Sequence, residues 1–127
     1  MNRQVVFNTV YTKLRTQGKR SVDATGQCMY RAPDGAKCAI GHLIPDELYK
    51  GDMEGSSTYS EGAVADALRQ VFGELTDKDF EFFMHLQHAH DDWYADDDVG
   101  WATSSVYILN EKMRQVAEKF NLEFNYA

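Results

Sequence analysis

Q-C-M-Y-R-A-P-D-G-A-K-C-A-I-G-H-L-I-P-D-E-L-Y, Gln27 to Tyr49, interrupts a chain whose other segments carry helical periodicity. It holds both cysteines, both prolines and one of the four histidines. Ala32-Pro33-Asp34-Gly35 is a turn signal, because proline presets the turn and glycine takes the positive φ that closes it. The flanking arms, Cys28 to Tyr30 and Lys37 to Ile40, read as a small β-hairpin. Gly41 ends the second arm, and Pro45-Asp46-Glu47 reads as the first turn of a short helix, its carboxylates at the positive end of the dipole.

On the N-terminal side, Val6, Phe7, Val10, Tyr11 and Leu14 recur at helical spacing between Arg3 and Gln17, and Gly18 supplies a stop. Gly51 to Gly62 has little apolar periodicity and reads as a mobile loop. Glu61 to Phe72 presents Val64, Leu68, Val71 and Phe72 on one side of a helix. Thr76, with Asp79 three residues later, resembles a capping box that opens a helix to about His90. A last helix from roughly Val99 to Phe120 puts Val106, Leu109, Met113, Val116 and Phe120 on one stripe. The expected fold is α+β, mainly α: a bundle of about four to five helices with a small β-hairpin, in one domain over residues 1–127.

The 127 residues, 43% hydrophobic and 13% aromatic, are enough to build one core. Apolar runs are too short to span a membrane, and Met1-Asn2-Arg3-Gln4 lacks the apolar core of a signal peptide. The expected location is the cytoplasm, where two cysteines stay free, reactive or metal-bound rather than paired.

The net charge of −7 is unevenly spread. Residues 1–50 hold eight Lys/Arg against four Asp/Glu, a balance of +4, whereas residues 51–98 hold two against thirteen, a balance of −11. A field of that sign repels phosphate backbones and attracts basic surfaces, which argues against direct binding of nucleic acid. The plain alternative is that the acidic residues keep a small protein in solution.

Cys28 and Cys38 sit on the two arms of the expected hairpin, and His42 follows the second cysteine by four residues. A tetrahedral zinc site takes four thiolate or imidazole ligands, and the fourth here would come from the helix bearing His85, His88 and His90. The candidate metal ligands are therefore Cys28, Cys38, His42 and His90, with zinc as the cofactor. The competing reading makes both cysteines small buried hydrophobes. His85 and His88, at i and i+3, share a helix face. His90 beside Asp91, with a cysteine brought close, would supply the base, orienter and nucleophile of a thiol hydrolase, although no residue is singled out as an oxyanion donor.

Asp91-Asp92-Trp93-Tyr94-Ala95-Asp96-Asp97-Asp98 sets five carboxylates around two aromatics, with Trp101 nearby. The alternating aspartates and glycine of a calcium loop are absent, and Asp97 or Asp98 suits the cap of the last helix. Its functional reading is a recognition loop, with Asp91, Asp92, Trp93, Tyr94, Asp96, Asp97, Asp98 and Trp101 meeting a partner's arginines and lysines.

These residues also carry a resemblance. Cys28, Tyr30 and Arg31 (C-x-Y-R), Lys37 to Tyr49 (K-C-A-x-G-x-L-I-P-D-E-x-Y) and Leu86 to Asp91 (L-Q-x-x-H-D) resemble an uncharacterised family of small bacterial and bacteriophage proteins, over about the central half of the chain. The resemblance implies a phage or mobile-element setting, and Cys28, Cys38 and His90 as the shared site. Together with the acidic charge it leads to the expectation of a non-enzymatic protein that blocks a basic, nucleic-acid-handling host protein, as anti-CRISPR and other anti-defence proteins do. The rival classes are a zinc-stapled module and a thiol hydrolase.

Overall fold

The computed structural model describes residues 1–56, 60–93 and 102–125. Among the described residues four α-helices carry the fold: α1 (Arg3–Gln17), α2 (Ala63–Phe72), α3 (Asp77–Asp91) and α4 (Ala102–Lys119). α3 lies along α4, and α1 packs across both. One apolar cluster joins them: Phe7, Val10 and Leu14 of α1, Leu68 of α2, Phe82, Phe83 and Leu86 of α3, and Leu109 and Met113 of α4 are all buried. These are the periodic positions of the sequence, so burial of one apolar stripe per helix accounts for the packing. Among the described residues, no helix is long and apolar enough to cross a membrane.

The helix ends follow local chemistry. Asn2 caps α1 by accepting from the Val5 N–H at 3.1 Å, and Gly18, at φ 74°, closes it with an N–H bond to the Leu14 carbonyl. The Thr76–Asp79 box is complete: Thr76 Oγ1 accepts from the Asp79 N–H at 3.1 Å, and Asp79 Oδ2 from the Thr76 N–H at 3.0 Å. Asp79 also meets Arg3 at 2.9 Å, tying the start of α3 to α1.

The long connection from Gly18 to Gly62 departs from expectation, because no strand or hairpin forms among the described residues. The turn is present, with the Gly35 N–H bonded to the Ala32 carbonyl at 3.0 Å and the Ala32 N–H to the Ala36 carbonyl at 2.9 Å, but only a single bridge, Arg31 to Lys37, follows from it. The other arm turns away, and Cys28 bridges to Val22.

The physical reason is that side chains take the backbone groups a second strand would have used. Gln17 bonds both the Lys37 N–H and the Lys37 carbonyl, each at 2.9 Å. The Glu54 carboxylate accepts from the Tyr30 N–H at 2.8 Å and the Arg31 N–H at 3.1 Å. Asp23 organises its own turn by accepting from the N–H groups of Thr25 and Gln27. The short helix expected at Pro45 is likewise reduced to one turn, in which Leu48 and Tyr49 donate to the Pro45 carbonyl. The stretch read as a mobile loop contains a 3₁₀ turn, Gly51–Met53, whose Met53 is buried. Residues 57–59 of that stretch lie outside the described residues.

Candidate functional site

The C-terminal end of α3 meets the 20–41 segment, and there the three pieces of the sequence pattern converge. His90 is fully buried. Its Nε2 accepts from the Ser21 backbone N–H at 2.9 Å, so the ring proton sits on Nδ1, which donates to Asp91 Oδ1 at 2.9 Å. Asp91 Oδ1 also accepts from Gln87 Nε2 at 3.2 Å, and Gln87 Oε1 accepts from the Ile40 N–H at 3.2 Å. One helical face, Gln87, His90 and Asp91, thus pins the irregular connection at two backbone N–H groups.

Cys28 completes the cluster. Its Sγ, a His90 ring nitrogen and an Asp91 carboxylate oxygen lie within 4.8 Å of one another. Arg20 Nη1 approaches the sulfur at 3.5 Å and the Asp91 carbonyl at 3.2 Å. Burial and the Asp91 charge raise the Cys28 thiol above its ordinary pKa, so the thiol form is favoured and the sulfur is a poor nucleophile. The order needed for a thiol hydrolase is not assembled, because both His90 nitrogens are committed, one to Ser21 and one to Asp91.

The sulfur, nitrogen and oxygen donors of Cys28, His90 and Asp91 could hold a metal ion. Cys38 and His42 are outside that group, which leaves two of the four expected ligands elsewhere. Cys38 is fully buried, and its Sγ accepts from the Gly41 N–H at 3.2 Å. Burial pushes its thiol pKa up to about 12, the behaviour of a packed apolar cysteine. His42 Nε2 pairs with Gln17 Oε1 at 3.0 Å, and burial, with Lys13 and Lys37 nearby, lowers its pKa to about 4. A metal at Cys28, His90 and Asp91 would also have a cost. With Nε2 facing the Ser21 N–H, Nδ1 becomes a ligand only by shedding its proton, and a neutral ring would then carry it on Nε2, against that donor.

Trp93 does not stand out toward a partner. It is 2% exposed within the main core, and its N–H turns back to the His90 carbonyl at 3.0 Å. Asp92 is exposed and Asp91 is half-buried in the cluster. The other recognition-loop residues, Tyr94, Asp96, Asp97, Asp98 and Trp101, lie outside the described residues, as does the expected Asp97 or Asp98 helix cap.

Sequence reasoning missed Ser21, which contributes through its backbone N–H, a group no residue type announces. Gln17 and Glu54 are not visible in the sequence either, since lone polar residues at a helix end or in a loop carry no periodic signal. Gln87 was legible only as a letter in the L-Q-x-x-H-D pattern. Comparison with family models, curated proteins and solved structures gives no match to this chain.

Proposed function

We propose that this chain is a non-enzymatic binding protein that occupies a basic surface on a protein that handles nucleic acid. The observation that carries this reading is the exposure of the acidic middle segment. Asp52, Glu61, Asp66, Glu74, Asp77 and Asp92 all face solvent, and among the described residues only Asp66 of these joins an ion pair, with Arg69. Exposed, mostly unpaired carboxylates on one chain segment give complementarity to lysine- and arginine-rich faces, speed encounter and disfavour phosphate backbones. The phage or mobile-element setting rests on the resemblance alone, and with it the anti-CRISPR or other anti-defence role.

Protein that copurifies with the tagged chain from a host strain should be displaced by duplex DNA, because both compete for one basic surface. Its association rate should fall steeply between about 50 mM and 200 mM salt, since the screening length shortens to about 8 Å at physiological ionic strength. Neutralising Asp96, Asp97 and Asp98 together should slow association. A partner that binds the chain and duplex DNA at once, at a salt-insensitive rate, would rule this function out.

A second reading has its own observation: the Cys28, His90 and Asp91 donors within 4.8 Å. Thiolate, imidazole and carboxylate together suit zinc, with a further position left for water or a partner's ligand. In that case about one equivalent of zinc copurifies with untagged protein, and a chelator lowers the melting temperature, because binding free energy adds to folding free energy. Metal-free protein with an unchanged melting curve after zinc addition would exclude it.

A further inference from the structure

A second feature lies on the opposite flank of α3. His85 and His88 there face α4 across a groove of about 320 Å³, whose other wall carries Lys112, Gln115 and Lys119. Lys112 and Lys119 are two helical turns apart, about 10.5 Å along the axis at 1.5 Å per residue, so they bracket the groove on one face. His85 and His88 are one turn apart on the other helix, with ring centroids 6.4 Å apart. Two carboxylates adjoin this group: Asp92 at one end of the groove, and Glu81, whose Oε1 is 3.5 Å from Lys119 Nζ.

The geometry points to a binding site for a compact phosphate anion, of the diphosphate or mononucleotide class, between Lys112, Lys119, His85 and His88. In a chain of net charge −7 this cleft gathers two ammonium groups, two imidazoles and an amide donor beside two carboxylates, a locally balanced charge with an excess of hydrogen-bond donors. Each of these groups can donate a hydrogen bond to a phosphoryl oxygen, and the ammonium contacts are charge-assisted. The two imidazoles alone could suggest a metal, but the ammonium groups on the facing helix oppose a cation and favour an anion. Burial and Lys119 lower the pKa of His85, a local bias against positive charge that an anion would relieve. Size argues for a small ligand: the groove is at the low end of the roughly 300–1,000 Å³ usual for small-molecule clefts. A long polyanion would also have to cross the surrounding negative field, whereas a compact one sits within contact distance of the lysines.

The test is an NMR titration of the ¹⁵N-labelled full chain with inorganic pyrophosphate, and separately with AMP, at physiological ionic strength. Expected are saturable shifts confined to residues 85–92 and 112–119, with a dissociation constant of about 1 mM or tighter. The double variant Lys112→Gln, Lys119→Gln should weaken binding roughly tenfold or more, since two charge-assisted contacts are lost. Asp92→Asn should tighten it, because a carboxylate leaves the rim. Shifts that do not saturate by about 10 mM, or a folded double variant that binds as wild type does, would overturn the assignment. So would tighter binding at these residues by zinc chloride, which would make the groove a cation site, or by a short single-stranded oligonucleotide. The wild-type titration decides alone should a variant fail to fold.

Discussion

Gly41→Ala is expected to destabilise the protein by about 3 kcal/mol or more, because the new methyl group has no room to form. An added Cβ would lie 2.1 Å from the Tyr30 carbonyl oxygen, 3.0 Å from its carbon and 3.3 Å from Lys37 Cβ. Two of these atoms belong to the backbone, and the Tyr30 carbonyl also accepts from the Cys38 N–H at 3.2 Å, so it cannot yield without opening that link. The neighbouring Tyr30 and Arg31 N–H groups are held by Glu54, which resists movement from the other side. Gly35→Ala is the informative comparison. That glycine has φ 93° but open space around it, so its substitution costs about 1 kcal/mol of backbone strain and nothing in packing. Thermal and urea denaturation of the two variants should separate them by roughly 6 °C or more in melting temperature. Equal stability would mean that the close approach of Gly41 to Tyr30 does not constrain the fold.

His90→Ala is expected to cost about 3–5 kcal/mol, combining the cavity left by a fully buried ring with the loss of both its hydrogen bonds. The diagnostic consequence is at Ser21. Its N–H loses its acceptor in a place where the residue is fully buried, so water must enter or the 20–28 segment must lift from α3. Amide exchange at Ser21 should therefore accelerate by much more than exchange in α1, whose bonds are internal to the helix. A variant that loses stability while Ser21 remains as protected as Phe7 or Val10 would show that His90 acts only by filling space.

These two sites also show where the sequence was readable. The four helices and the Thr76–Asp79 cap were legible because burial of an apolar stripe and satisfaction of helix-end N–H groups are local rules. Two of the four metal candidates, Cys28 and His90, meet, and Asp91 joins them, since His90 and Asp91 are adjacent on one helix end. The hairpin expected from the turn does not form among the described residues, and its replacement was not legible. Pro33-Asp34-Gly35 does turn the chain, but Gln17 and Glu54, 20 residues or more from the backbone groups they satisfy, replace the strand pairing, and such long-range side-chain bonds leave no periodic trace. Trp93 misled for a related reason. Its neighbours are aspartates, which suggests exposure, yet it follows the last turn of α3 and folds back under it.

His90 at the centre of the polar cluster is fully buried, whereas Asp52, Glu61, Asp66, Glu74, Asp77 and Asp92 are exposed. Binding through the acidic surface is decided by competition: the copurified partner is immobilised, loaded with the chain, and challenged with duplex DNA at physiological salt. DNA is expected to displace the chain, and the chain alone is expected not to bind the same duplex. Retention of the chain on a DNA-saturated partner, or direct binding of the chain to DNA, would contradict it.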